Sequence, residues 1–418
     1  MNNLKEMNVP WIENIPQDWK ILYIKNLIKK NRKEYNTDKN CNVLSLTTNG
    51  VKEKKDLSFG LNPETYIGQK LVYKDDYLIC LRDLDGPLLC GPSLYDGCIS
   101  KLYFVLNFNS RISNKYFDFL IRTMDYIGVI RKFSFGMRYA YNISQFGLLQ
   151  VPVPNKKTQD KIVSVLADKC SKIDTLIVNE QKQIETIKAY EQSLITKSVL
   201  TGLSKSNMMK NSGIDWIGDI PCNWKIVHLS SLFYQLKNKN KGMACNNLLS
   251  LSYGNVVRRD INKNDGLLPE DFEGYNIINE GDIVLRLTDL QNDHKSLRTG
   301  YCTEKGIITS AYITLRKKQN INTHFVRYYL HAFDIQKGFY GLGDGVRQGL
   351  TFDGIKTLPI LLPPLEEQNA IENFLNVKCS EIKKLILLKE QTIERLKDYR
   401  KSLIFEYVTG KKEVLWIH

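Results

Sequence analysis

Several short clusters place arginine or lysine beside glycine and aromatic residues. The first half of the chain offers Arg131-Lys132-Phe133 and then Gly136-Met137-Arg138-Tyr139-Ala140-Tyr141. The second offers Arg258-Arg259, Arg298-Thr299-Gly300-Tyr301 and Gly345-Val346-Arg347-Gln348. The planar fork of arginine matches the O6 and N7 edge of guanine, and glutamine can do the same for adenine. Lysines such as Lys132 more often meet phosphate and carry little sequence information. The Gly-x-Arg element recurs at 136–138 and 345–347, which raises it above an isolated arginine. The competing reading is a turn whose arginine pairs with a local carboxylate. That reading is the better one for Arg82, beside Asp83 and Asp85, and for Arg286, near Asp289. The candidate DNA contacts are therefore Arg131, Lys132, Arg138, Tyr139, Tyr141, Arg258, Arg259, Arg298, Arg347 and Gln348.

Catalytic patterns are missing from the same sequence. Gly341-Leu342-Gly343-Asp344-Gly345 is neither a phosphate-binding loop nor a dinucleotide fingerprint, and no Gly-Lys-Ser/Thr occurs. The Asn/Asp-Pro-Pro-Tyr/Phe element of amino-methyltransferases is absent. His324 and His331 lie two helical turns apart without an acidic or cysteine partner in sequence, so surface or core roles suit them better than metal ligation. Glu53-Lys54-Lys55 resembles the end of a nuclease signature, a spacing common by chance in a lysine-rich chain. The sequence predicts no catalytic site and no metal.

The composition agrees with a binding role. The 418 residues carry 59 Lys and Arg against 45 Asp and Glu, a net charge of +14, which points to a polyanionic partner. No apolar run approaches the roughly 18 residues of a membrane span, and the first 25 residues lack the apolar core of a signal peptide. Nine cysteines, an odd number with no Cys-x-x-Cys pair, suit free thiols in a reducing cytoplasm.

The elements that must carry these residues are written twice. Trp11-Ile12-Glu13-Asn14-Ile15-Pro16-Gln17-Asp18-Trp19-Lys20-Ile21 returns as Trp216-Ile217-Gly218-Asp219-Ile220-Pro221-Cys222-Asn223-Trp224-Lys225-Ile226. Asn42, Leu44, Ser45 and Leu46 likewise meet Asn247, Leu249, Ser250 and Leu251. Further along, Pro154 faces Pro363, Gln159 faces Gln368, Ile162 faces Ile371 and Cys170-Ser171 faces Cys379-Ser380. Each half closes on Thr-Gly, at 201–202 and at 409–410. So long a period belongs to a duplicated domain and not to a solenoid.

Each copy opens on mixed α/β sequence. Apolar runs at 77–81, 102–106, 282–287 and 312–315 predict strands, and 115–124 and 324–333 predict helices. Prolines then mark a boundary, and a long segment follows without proline or glycine. In the first such segment Leu166, Ile173, Glu180, Ile187 and Leu194 recur every seven residues, interleaved with Cys170, Ile177, Ile184 and Glu191. In the second, Leu375, Ile382, Lys389, Leu396 and Leu403 do so, interleaved with Cys379, Ile386, Ile393 and Arg400. Heptads sustained this far predict a coiled coil, with helices about 65 Å long at roughly 1.5 Å per residue. Glu180 and Lys389 stand at the centres of their seams with opposite charge, so antiparallel pairing would bring them together and fix register. Snorkelling into solvent is the alternative. Each helical segment carries a net +2, which leaves +10 for the globular parts and places the polyanion contact there.

Two α/β units, each followed by a long helix and duplicated head to tail, resemble the specificity subunit of Type I restriction–modification systems. The resemblance spans nearly the whole chain. It rests on the Trp-Ile-x-x-Ile-Pro-x-x-Trp opening and on the proline-rich entry to each helix. In the second copy, Leu361-Leu362-Pro363-Pro364-Leu365-Glu366-Glu367-Gln368-Asn369-Ala370-Ile371 is close to the family's Pro-Pro-Leu-x-Glu-Gln-x-x-Ile. The first copy departs, with Asn155-Lys156-Lys157 in place of Pro-Leu-Glu, but keeps Gln159 and Ile162.

The resemblance implies an α+β fold and five segments: recognition domain 1 (1–155), a spacer helix (156–202), recognition domain 2 (203–364), a second spacer helix (365–412) and a tail (413–418). It implies that each domain reads half of a bipartite, asymmetric DNA target. The helices would pair antiparallel, set the gap between the halves and dock two modification subunits, which hold S-adenosylmethionine. Restriction subunits would bring ATP and Mg, with no cofactor on this chain. A self-contained methyltransferase or nuclease lacks its motifs. An adaptor that binds only proteins leaves the +10 unexplained, and a Type IIB-like enzyme would use the same recognition architecture.

Overall fold

The structure is a computed structural model and describes residues 4–55, 62–132, 140–204, 208–252, 254–261, 271–290, 297–342 and 349–413. The chain divides into two compact units, one of residues 1–181 with 390–418 and one of residues 182–389. Each unit thus holds one globular domain, the beginning of the helix that follows it and the end of the other long helix.

The two globular domains repeat one topology. In the first, the antiparallel strands Ile28–Asn31, Phe104–Phe108, Tyr77–Ile79 and Cys90–Pro92 form a four-stranded sheet in that order. In the second, Phe233–Gln235, Ile313–Lys317, Ile283–Leu285 and Thr299–Tyr301 follow the same order. The central strands Tyr77–Ile79 and Ile283–Leu285 are buried at every residue, which is why they read as continuous apolar runs. Helix α1 (Asn114–Tyr126) covers the first sheet. Its N-cap Ser113 accepts the Tyr116 N–H, which satisfies one of the donors a helix start leaves open. The run at 102–106 is shifted in the structure. Its strand begins at Phe104, because Tyr103 N–H closes a turn on Ser100 O and leaves Leu102 53% exposed.

Helix α2 (Lys156–Thr201) follows the first domain. Helix α3 (Thr323–Ile335) covers the second sheet and is capped by Asn322 as α1 is by Ser113. Helix α4 (Leu365–Val408) closes the chain. Asn155 starts α2 by accepting the Thr158 N–H at 2.9 Å, so the departure from the proline-rich entry still begins a helix. The repeated Thr-Gly is the stop signal. Gly202 and Gly410 take φ of +73° and +74°, the left-handed conformation that ends helices and favours glycine. Thr201 and Thr409 bond back to the carbonyls of Lys197 and Phe405.

Within each unit the helices run antiparallel. In the first, Ile162, Leu166, Cys170 and Ile173 of α2 share a core with Leu403, Ile404, Tyr407 and Val408 of α4. Asp174 pairs with Arg400 there at 3.1 Å. In the second, Ile195, Val199 and Leu200 share a core with Ile371, Leu375 and Cys379. Every heptad position from Leu166 to Leu194 and from Leu375 to Leu403 is buried or half-buried, including Ile177, Ile184, Ile187, Ile382, Ile386, Ile393 and Leu396. Of the central polar residues, Glu180 lies in the first unit, and Lys389 donates to Gln183 at 2.5 Å within the second.

The Trp-Ile-x-x-Ile-Pro-x-x-Trp motifs form the seat for the incoming helix end. Ile12, Ile15 and Trp19 are buried in the core that holds the end of α4, and Ile217, Ile220 and Trp224 in the core that holds the end of α2. A side chain at Gly410 would strike the Pro16 ring at 2.4 Å, so this approach needs glycine. All nine cysteines are free thiols. No helix among the described residues is long and apolar enough to cross a membrane.

Candidate nucleic-acid interface

Of the sequence candidates, Arg131 and Lys132 end a short helix, Val129–Lys132, and are exposed. Arg138, Tyr139, Arg347 and Gln348 lie outside the described residues, so both Gly-x-Arg elements do as well. Arg258 is exposed on the hairpin Leu249–Ser252/Asn255–Arg258 and grips Glu304 with Nε and Nη2. That pairing holds Glu304 below the usual carboxylate range and Arg258 above its own. Arg259 beside it is exposed.

Two candidates need correction. Arg298 is 0% exposed. Its guanidinium donates to the carbonyls of Arg286, Thr288 and Asp289 at 3.2, 2.7 and 3.3 Å and lies over the Tyr340 ring. It fastens the 286–289 segment to the domain and does not face a ligand. Tyr141 is also buried. Its hydroxyl donates to Ile130 O at 2.8 Å, and burial pushes its pKa up to about 12.

The structure adds a surface that the clusters did not reveal. In each repeat a buried asparagine pins a lysine-rich loop. Asn36 donates to the carbonyls of Asp38 and Tyr66, and Asn240 to those of Cys245 and Phe272. Around these pins Lys33 and Lys39 are exposed in the first repeat, and Lys237, Lys239 and Lys241 in the second. The first loop also collects cations on aromatic rings. Arg32 lies 4.5 Å from the Tyr73 ring centroid, Lys101 5.7 Å from Tyr35 and Lys70 5.3 Å from Phe104. Burial and the neighbouring Lys33 charge lower the pKa of Lys70, as expected inside a positive field. Cations beside exposed rings suit the phosphate backbone and the bases of a nucleic acid. Lys237-Asn238-Lys239-Asn240-Lys241 was a visible charge run. The grouping around Arg32 unites residues some seventy positions apart.

The cores under these loops repeat in detail. Asp76 accepts the Tyr73 N–H and pairs with Arg32 at 2.6 Å, and Asp282 accepts the Asn279 N–H and pairs with Arg316 at 2.7 Å. Asn42 and Asn247 both tie the following hairpin down, to Asp96 O and to Lys305 O. Lys5 and Lys210 each donate to two carbonyls of their tryptophan motif. The frame is common and the exposed surface differs.

This frame has relatives. Residues 221–397 match the family model of the Type I restriction modification DNA specificity domain. Along 96% of its length the chain is 22% identical to a putative type I restriction enzyme specificity subunit, MjaX, of Methanocaldococcus jannaschii, covering 96% of that protein. Its fold is similar to that of a chain solved in a study of complex assembly and conformational transition of the type I R-M system. There the TM-score is 0.69 at 13% identity, over 95% of this chain and 99% of the other. The HsdS subunit of Thermoanaerobacter tengcongensis gives a TM-score of 0.52 at 14% identity, over 95% and 98%. The similarity to the Type I DNA specificity domain thus falls on the second repeat and most of α4. The chain as a whole shares the fold of the HsdS subunit.

Proposed function

We propose that this chain is the DNA-recognition subunit of a Type I restriction–modification complex and that each globular domain reads one half of a bipartite, asymmetric target. The observation that carries the reading is the duplication itself. Two copies of one frame, of which the second matches the specificity domain, present different exposed residues, as two different half-sites require. The lysine loops pinned by Asn36 and Asn240 supply phosphate contacts. Arg131, Arg258 and Arg259 are the exposed candidates for reading base edges and Lys132 for phosphate; Arg138, Tyr139, Arg347 and Gln348 remain candidates from the sequence.

In this reading the paired helices set the gap between half-sites and dock two modification subunits. Those subunits bring S-adenosylmethionine and the adenine chemistry, and restriction subunits bring ATP and Mg. The chain itself binds double-stranded DNA and catalyses nothing, and it works in the cytoplasm. Selection of duplexes from a randomised pool by the assembled complex tests this. The expected winners share two short conserved blocks separated by a fixed unconserved gap. A single continuous block, or no enrichment at low salt, would overturn it.

A further inference from the structure

The second repeat contains a cleft of about 390 Å³ between the hairpin Leu249–Ser252/Asn255–Arg258, α3 and α4. Arg327 of α3 lies on its wall. Nη2 donates to Gly254 O at 3.0 Å, but Nε is buried without a partner. No carboxylate pairs with Arg327 among the described residues, and Glu191 reaches it only as a more distant charge. Lys383 of α4 lines the same cleft, is exposed, and makes no ion pair among the described residues. Glu372 is already spent on His324, at 3.0 Å, and on Asn322 and Asn376.

The surroundings are positive. One turn beyond Arg327, His331 is buried with Nδ1 unpartnered. Its pKa falls to about 3 through burial and then through the charges of Arg327 and Lys383. Tyr301, His324 and Tyr328 stack with centroids 4.3 and 5.1 Å apart and form an aromatic wall of the cleft. The first repeat has a cleft beside the equivalent helix, lined by Thr48, Asn49, Asp118 and Arg122 and, from the end of α4, by Arg400 and Lys401. There Arg122 pairs with Asp118 at 2.9 Å and donates to Thr48 O and Cys90 O. Asp118 occupies the helix position that Arg327 holds in the second repeat, and Arg400 and Lys401 pair with Asp174 and Asp398, so among the described residues the cations of the first cleft have carboxylate partners and Arg327 has none.

We propose that this cleft binds a phosphate group between Arg327 and Lys383, with the Ser380 and Thr303 hydroxyls as further donors. Two cations from two helices match the double charge of a phosphate monoester, and guanidinium favours phosphate oxygens. The volume exceeds a bare ion and is in the range of small-ligand sites. The phosphate can come from a free mononucleotide-sized metabolite or from a nucleic-acid backbone, and the experiment separates the two.

Calorimetric titration of inorganic phosphate and of AMP into the full chain is the test, with Lys383→Ala and Arg327→Gln alongside. Among the described residues Lys383 makes no hydrogen bond or ion pair, so Lys383→Ala keeps the fold even if Arg327→Gln does not. Saturable binding weakened at least tenfold by Lys383→Ala supports a free phosphorylated ligand. No small-molecule binding, with a duplex whose log K against log salt slope falls by about one unit in Lys383→Ala, assigns the site to a backbone phosphate. Neither effect overturns the proposal. A chain that takes AMP but no duplex would keep this site and refute the DNA-reading role.

Discussion

Gln159 and Gln368 stand 209 positions apart and share two bonds, to a helix-cap N–H and to a proline carbonyl, each in its own unit. The Gln159 Oε1 accepts the N–H of Ser113, and Nε2 donates to Arg111 O and Pro154 O. The Gln368 Oε1 accepts the N–H of Asn322, and Nε2 donates to Pro363 O. Both side chains are buried, at 0% and 2% exposure. Each therefore locks the start of a long helix to the cap of the helix that covers its sheet. Gln159→Ala strands a buried donor and acceptors, which costs roughly 1–3 kcal/mol. Gln159→Glu turns an acceptor toward two carbonyls and costs more. Urea unfolding of the two variants checks the order, and equal stability of both with the parent would remove the anchor.

Arg298 and the lysine loop separate structure from recognition. Arg298→Ala leaves three carbonyls without their donor and is expected to lower stability by about 3 kcal/mol. Its duplex affinity per folded molecule should not change. Replacing Lys237, Lys239 and Lys241 with glutamine should leave the melting temperature near the parent's. It should also reduce the slope of log K against log salt by about two to three units, close to 0.9 per phosphate contact. Anisotropy titrations at several salt concentrations, with thermal melts, measure both.

His331 sets a pH dependence with a definite sign. Its folded pKa of about 3 lies below the ordinary 6.5, so the unfolded chain takes up a proton that the folded chain refuses. Its contribution is fully present above pH 6.5 and is lost as the pH falls from 6.5 toward 3, by about 1.4 kcal/mol per unit. His331→Leu should flatten that part of the stability profile. Denaturant titrations between pH 7 and pH 5 would show the parent losing stability faster than the variant, and parallel profiles would contradict the assignment.

Much of the fold was legible because it depends on period and punctuation. The seven-residue spacing from Leu166 and Leu375 and the closing Thr-Gly pairs are local signals, and the structure uses them as helix seam and left-handed stop. The tryptophan motifs announced the repeat without revealing that each seats the end of the opposite repeat's helix, for the first motif a contact that spans nearly the whole chain. The site was less legible. Arg298 looks in sequence like any arginine beside glycine and tyrosine, and only strand pairing shows that its fork faces the carbonyls of the 286–289 segment. The grouping of Arg32, Tyr73, Lys70 and Tyr35 likewise exists only once the strands are in register.

The central claim is that two domains read two halves of one target. Its most direct test is to co-express this chain with a partner modification subunit and map methylated adenines across the host genome. The account predicts one bipartite asymmetric motif, with modified adenines in both halves and a constant gap. A stable complex that methylates no such motif, or marks a single continuous sequence, would contradict it.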